Sequence, residues 1–374
     1  MKGTKPMTTT PAWVRPGRNW RRVDGLLEHL QSPPQRPIIL DDEAFDALSP
    51  DELARYDAAR IRFISSGITI KTNAAAEATK YVRIAGDCND GGRFGLLVSG
   101  QANTGKTTLC DGIMRSEFNR FVRLFPGAID EGAIPVVFVE VPAGSNGKQF
   151  LHVFLDFFGL HYRATETQVQ LQTRVIDALQ QAGTILVIID EIHRLKGRTA
   201  GLGESIDVLR SMTQSVDATF VLAGIKLNDN ALFQGDRGEQ LASRFSMLQL
   251  APAGYADPDE KRAWANQIRD IEQALPLRHH NVGAMAKIAG ELHKRTSGSL
   301  PALTRLLYAA ATEAIRSRKI TTEQIDPDLL MSQKLDYANQ AARAARSAKK
   351  NAPLTLGSYL DVYTSAPDEA EAAA

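Results

Sequence analysis

Apolar residues gather in short continuous runs, separated by segments in which they recur at helical spacing. Phe94–Val98, Ile134–Val141, Thr184–Ile189, Ala218–Ala223 and Phe245–Leu250 read as buried strands. Helical spacing fills the intervals from Thr107 to about Phe118, around Lys148–Phe158, and from about Glu166 to Gln181. Strands alternating with helices predict a doubly wound parallel sheet. Upstream, Ser49-Pro50-Asp51-Glu52 is a helix start, with a capping Ser, Pro at the first position and acids in the first turn. That helix should run through Tyr56 and Arg60 to about Ile64, and Thr72 is placed to cap another over Ala74–Ile84. A Gly/Asp-rich turn, Gly86–Gly92, leads into the first strand. Past Pro252 the strand signals stop, and Pro258–Leu275, Val282–Lys294 and Leu300–Arg318 predict a small all-helical domain. No internal repeat is evident.

Composition adds boundaries to this layout. The first 40 residues are rich in Pro, Arg and Trp and read as an arm with little structure of its own. Lys2, Lys5, Arg15, Arg18, Arg21 and Arg22 surround Trp13 and Trp20, as in a docking arm for nucleic acid or a partner, or simply a basic terminus. Residues 336–374 are Ala-rich, basic at Arg343–Lys350 and then acidic, and read as a flexible tail. The expected division is therefore an arm (1–48), an alternating strand–helix core with a helical lead-in (49–254), a helical domain (255–335) and the tail. The 374-residue chain has 43% hydrophobic and 23% charged residues, ordinary for a globular protein. A net charge of +1 gives no global field toward nucleic acid, so any such contact must come from a local patch. Cys88 and Cys110 lack metal or redox spacing, which fits a reducing cytoplasm, and Cys110 should be buried on a helix. No apolar run approaches the ~18 residues of a membrane span, and the basic, aromatic stretch Trp13–Arg22 is no signal-peptide core.

The chemistry sits at the ends of two predicted strands. Gly100-Gln-Ala-Asn103-Thr104-Gly105-Lys106-Thr107-Thr108 follows the first strand and opens a helix, matching G-x-x-x-x-G-K-[ST]. Backbone N–H groups of such a turn and the positive helix end cradle phosphates. Lys106 is placed for the β- and γ-phosphates of a nucleoside triphosphate, and the Thr107 hydroxyl for Mg²⁺. Ile185-Leu-Val-Ile-Ile-Asp190-Glu191 delivers two carboxylates to the sheet's C-terminal edge, where open α/β sheets hold ligands. Asp190 should hold Mg²⁺ through its water shell, and Glu191 should activate the attacking water. Arg244 precedes the last strand and reads either as an arginine finger for a neighbouring subunit or as a surface ion-pair residue.

These residues, in order, resemble an AAA+ ATPase, and more narrowly the transposition ATPases of the TniB/TnsC type. The resemblance rests on Gly100–Thr107, Ile134-Pro-Val-Val-Phe-Val, Ile188-Ile-Asp-Glu-Ile-His193-Arg194-Leu195, Val221-Leu-Ala-Gly224, Glu239-Gln-Leu-Ala-Ser-Arg244-Phe245 and Thr296-Ser-Gly298. The lead-in Tyr56-Asp-x-x-Arg60-x-Arg62 through Ile70-x-Thr72 joins them, so about residues 55–330 are covered. It implies a P-loop AAA+ core, its parallel sheet flanked by helices, followed by a small all-α lid. It also implies an ATP- and Mg²⁺-dependent, DNA-stimulated, slow ATPase. Such a protein assembles on double-stranded DNA as a ring or filament, largely independent of sequence, and recruits or activates a partner transposase, with a target selector as a further partner. Nucleotide between subunits would make Arg244 a shared catalytic residue beside Glu191 and Lys106.

Two positions depart from the family pattern. Ile225 stands where a polar residue usually follows the strand's Gly, so a γ-phosphate sensor is absent or supplied by Lys226 or Asn228. Arg305 lies one turn beyond the usual lid position, which Ala302 occupies. Both favour a slow switch over a motor. By the same resemblance, DNA contacts fall on Ser145, Lys148, Arg163 and Thr165, with a second basic cluster at Arg194, Lys196 and Arg198. Backbone phosphate contacts need only scattered cations and hydroxyls, repeated in each subunit. The remaining readings are a secretion or signalling ATPase with a protein partner, a helicase-loader-like replication ATPase, and a nucleotide-binding scaffold without turnover.

Overall fold

The computed structural model describes residues 19–70, 72–88, 94–195, 199–317, 323–335 and 339–340, with the side chains of 199–202 left aside. Four helices come first: α1 (Val23–Gln31), α2 (Asp42–Asp46), α3 (Pro50–Ser66) and α4 (Asn73–Cys88). The central part alternates β1 (Gly95–Gly100), α5 (Lys106–Leu124), β2 (Val136–Glu140), α6 (Gly147–Phe158), α7 (Gln168–Gln181), β3 (Leu186–Asp190), α8 (Thr199–Ser215), β4 (Thr219–Gly224), α9 (Gly235–Ala242) and β5 (Phe245–Leu250). Four further helices follow: α10 (Pro258–Ala274), α11 (Ala289–Thr296), α12 (Leu300–Arg316) and α13 (Pro327–Ser332).

The strands form one parallel sheet in the order β2-β3-β4-β1-β5. Helices must cover both faces of such a sheet, so β1, β3 and β4 are buried along their whole length. The register pairs Glu140 with Asp190, which brings two acids to the C-terminal edge. β1 ends on the same edge at Gly100. The alternation read from the sequence is therefore the observed architecture.

The main core joins the sheet to α5, α6, α7 and α8 through residues such as Ile113, Met114, Phe150, Phe154, Val175 and Leu209. Cys110 is buried in it, as expected. A second core holds α10–α13, with Trp264, Ile268, Leu303 and Leu307 fully buried. Ile64 of α3 belongs to this second core. Arg60, on the same helix, is fully buried and bonded to Asp57 and Glu323. The lead-in helix is thus anchored on the helical domain as well as preceding the sheet. The capping box read at Ser49 and Glu52 is present.

Three elements depart from the sequence reading. Residues 19–31 are not an unstructured arm: Trp20, Leu26 and Leu30 are buried in the main core. The i, i+4 pair Leu26 and Leu30 makes a short apolar stripe, which composition alone hid among Pro and Arg. Helices α8 and α9 fill intervals where the sequence shows no clear stripe; Gly201 and Gly203 lie within α8. The single helix expected over Val282–Lys294 is broken into a turn, a 3₁₀ segment at Met285–Ile288 and α11. Most of the tail and the first 18 residues lie outside the described residues. Among the described residues, no helix is long and apolar enough to cross a membrane.

Candidate nucleotide site

The loop after β1 has a shape set by three backbone features. Gly100 leaves no room for a side chain, since a Cβ there would sit 2.6 Å from Thr104 Oγ1 and 3.0 Å from the Leu250 carbonyl. Asn103 and Gly105 take left-handed conformations, with φ of 60° and 92°. Thr104 Oγ1 donates to the Gln101 carbonyl at 2.9 Å and closes the turn.

The helix that follows starts differently from most of the others. α3, α6, α7, α10, α12 and α13 each begin with a side chain accepting from a first-turn N–H. α5 begins at Gly105 with no side-chain cap; α1, α9 and α11 also lack one, but the start of α5 alone among these follows the Gly100–Gly105 turn. Its first-turn N–H groups and the positive helix end are left to an anion. A cradle that a Cβ would fill and an uncapped helix start both fit a phosphate chain.

Charged groups converge on that helix start. Lys106 is buried, and its ammonium donates to the carbonyls of Gly100 (3.1 Å) and Gln101 (2.8 Å). Burial lowers its pKa, against the opposing pull of Glu191 and Asp190. Thr107 Oγ1 donates to Asp190 Oδ2 at 2.8 Å, across 83 residues of sequence. The other Asp190 oxygen accepts from the Glu191 N–H at 2.8 Å. Burial raises the Asp190 pKa; the two hydrogen bonds oppose that, and the Glu191 and Glu140 charges add to it. Hydroxyl and carboxylate oxygens are the donors that Mg²⁺ takes alongside phosphate. Thr107 and Asp190 fit that ion.

Glu191 turns the chain sharply, with φ 59°. Its carboxylate lies 3.4 Å from His193 Nε2 and 3.2 Å from Arg194 Nε. Arg194 also donates to Glu140 at 3.0 Å. Glu140 in turn meets Arg21 at 3.4 Å. Burial lowers the His193 pKa, with Glu191 opposing and Arg194 adding to the shift.

Two cavities flank the loop. One of about 970 Å³ is mainly apolar, lined by Ile61, Ile68 and Ile70, by Thr104, Gly105 and Thr108, and by Leu300, Pro301, Arg305 and Tyr308 of α12. It suits a base and sugar held between lead-in, loop and lid. The other, about 470 Å³, is lined by Asn19, Trp20, Arg21, Thr107, Phe138, Glu140, Asp190 and Glu191. Its carboxylates suit a cation at the phosphate end.

The structure brings Gly100, Asn103, Thr104, Gly105, Lys106, Thr107, Thr108, Asp190, Glu191 and Arg305 around this one loop. Arg244 lies elsewhere. Its carbonyl accepts from the Gly95 N–H, at the start of β1. Gly100 is five residues further along the strand, roughly 16 Å at ~3.3 Å per residue. Arg244 is therefore at the sheet edge opposite Lys106 of its own chain.

The residues expected at DNA separate into groups. Ser145 is corrected: it is buried, and its hydroxyl donates to the Pro142 carbonyl at 2.8 Å, so it offers no surface contact. Arg163 and Thr165 are exposed, and Lys148 reaches them by donating to the Ala164 carbonyl at 2.8 Å. Arg194 is turned inward onto Glu191 and Glu140. Lys196 and Arg198 lie outside the described residues. Sequence reading missed Asn19 and Glu140, which no motif marks, and assigned Trp20 and Arg21 to a basic arm away from this site. It included His193 in a motif without giving it work.

The family described as "Bacterial TniB protein" matches residues 60–255 of this chain, slightly more than half of it. Among curated proteins, none matches in sequence. The fold is similar to that of the Aeropyrum pernix ORC2 protein in its ADPNP-ADP complexes, at 17% identity and a TM-score of 0.50, over 72% of this chain and 70% of that one. Domain III of the Thermotoga maritima replication initiation protein DnaA is also similar, at 15% identity and a TM-score of 0.44, over 70% and 91% of the chains. The architecture is that of P-loop AAA+ ATPases followed by a helical domain.

Proposed function

The chain belongs to the TniB family, and from that premise we propose that it is an ATP-switched, DNA-binding regulator of transposition. In this reading it assembles on duplex DNA, largely without regard to sequence, and recruits or activates a partner transposase. The observation that carries the ATP half is the Thr107–Asp190 contact at 2.8 Å beside the uncapped start of α5. It joins the phosphate loop to the acidic strand end, and neither element means much without the other.

ATP binding would move the Lys106 ammonium from loop carbonyls to the β- and γ-phosphates. Phosphate charge then offsets the burial that now disfavours the ammonium. Thr107 and Asp190 would hold Mg²⁺, which supplies positive charge at the β- and γ-phosphate oxygens. Glu191 would accept the proton of the attacking water. Arg305, on the lid helix beside Thr104 and Gly105, would report nucleotide to the helical domain.

Arg244 would act in a neighbouring subunit, because its own site is a strand's length away. Nucleotide would then sit between subunits, and ATP would cement the assembly. Lys148, Arg163 and Thr165 form the surface proposed for the DNA backbone.

The full-length chain should show ATP-dependent retention on duplex DNA that weakens with salt, and hydrolysis stimulated by that DNA. Glu191→Gln should bind ATP, stay longer on DNA and lose turnover. If retention on duplex DNA is the same with and without ATP, the reading fails. Strand transfer by a transposase from a neighbouring gene, assayed with and without this protein and ATP, tests the transposition half.

A further inference from the structure

The end of β4 carries Ile225 where AAA+ proteins place a polar side chain, yet its backbone is not idle. The Ile225 N–H donates to His193 Nδ1 at 3.2 Å. A ring nitrogen that accepts carries no proton, so in the neutral imidazole the proton is on Nε2. That edge faces Glu191 Oε2 at 3.4 Å. The imidazole therefore spans from the Ile225 backbone to the carboxylate that handles the attacking water.

The turn around Ile225 is shaped for this approach. A Cβ on Gly224 would lie 2.7 Å from Leu227 Cδ2 and 3.3 Å from His193 Nδ1, so a larger residue there would push on the leucine and the ring. Lys226 takes a left-handed conformation, with φ 48°. The Leu227 N–H then donates to buried Ser99 Oγ at 3.1 Å. Ser99 immediately precedes Gly100, so the turn is pinned to the phosphate loop on one side and to His193 on the other.

We propose that His193 is the positioning residue that does, through the Ile225 backbone, what a polar side chain at 225 would do directly. It holds Glu191 in register with the end of β4, and through Ser99 with the phosphate loop. The inference rests on the ATPase reading. It explains how a chain with Ile225 retains an oriented base.

The test is steady-state ATP hydrolysis by the full-length chain on duplex DNA, with nucleotide affinity measured separately by a fluorescent ATP analogue. His193→Ala should lower kcat about tenfold or more, with KM and analogue affinity within about twofold, since misplacing a base acts on the chemical step. His193→Gln keeps a donor near the Nε2 position but loses the acceptor for the Ile225 N–H, and should recover only part of kcat. His193→Asn places its amide near the Nδ1 position, where its oxygen can accept from the Ile225 N–H but the side chain is too short to reach Glu191, and it should recover little. Gly224→Ala should reproduce the His193→Ala pattern. Wild-type kcat in His193→Ala, or wild-type kcat in His193→Gln or His193→Asn, overturns the proposal while leaving the ATPase reading standing. Loss of analogue affinity in all His193 variants also overturns it, by showing a merely structural role. Wild-type protein that binds the analogue but never hydrolyses ATP overturns the ATPase reading itself, and this proposal with it.

Discussion

Two clusters of buried charge, one in the helical domain and one at the nucleotide site, are built to opposite rules. In the helical domain, Arg60 is fully buried and meets Asp57 at 2.7 Å and Glu323 at 2.5 Å, while Arg278 approaches Glu323 at 3.4 Å. Burial alone would raise the Glu323 pKa, but the hydrogen bonds and charges of Arg60 and Arg278 overcome it and hold the carboxylate below its ordinary value. At the nucleotide site, burial prevails: it raises Asp190 and lowers Lys106. The first cluster favours its charges and the second disfavours them. A structural ion cluster is complete as it stands, whereas a binding site keeps charges that a ligand must complete.

The largest expected effect breaks the functional cluster. Lys106→Ala should remove the thermal stabilisation that saturating ATP gives the wild type, and reduce turnover by about a hundredfold or more. Melting temperatures with and without nucleotide, beside hydrolysis rates, check it. Without nucleotide the variant should melt close to the wild type, because a disfavoured charge has been removed.

The structural cluster should respond the other way. Arg60→Met leaves Glu323 and Asp57 buried without their main partner and should cost about 3–5 kcal/mol. Denaturant unfolding measures this directly. A variant that lost turnover but kept full stability would erase the distinction drawn here.

A smaller effect concerns acid. Because the folded Glu323 pKa lies below its unfolded value near 4.5, its contribution is present above that value. It is lost as pH falls through the folded pKa. Glu323→Gln should flatten that part of the acid limb, seen in unfolding midpoints between neutral pH and about pH 3. Asp190 has the opposite sign: its raised folded pKa contributes stability below its unfolded value near 3.8, and this is lost as pH rises through the folded pKa.

The smallest expected effect follows from that sign. Asp190→Asn should stabilise the nucleotide-free protein at neutral pH by up to about 1–2 kcal/mol while removing Mg²⁺-dependent turnover. A thermal melt at pH 7 beside an activity assay is enough. Destabilisation there would place Asp190 with Glu323 among the structural acids.

The nucleotide site was legible because its parts are local. Gly100–Thr107 and Asp190-Glu191 are contiguous segments, and each strand that carries them announces itself by continuous Val, Ile and Leu. Phe245–Leu250 was read to its limits, and Asp190 closes β3 as expected. The lead-in's capping box was legible for the same reason. Helices α8 and α9 were not, since glycine and polar residues there leave tertiary packing to decide. Nor was the place of Trp20, whose ring meets Phe138 at 5.2 Å across 118 residues of chain.

By itself, then, the sequence determined the doubly wound sheet, the phosphate loop, the acidic pair and the family, because periodicity and short motifs are properties of neighbouring residues. Only the tertiary structure decided which distant groups meet. It buried Ser145, turned Arg194 inward, set Arg244 at the far sheet edge and tied Glu191 to Ile225 through His193. Those contacts depend on strand order and register, and loop closure between separated segments leaves no periodic trace in the chain.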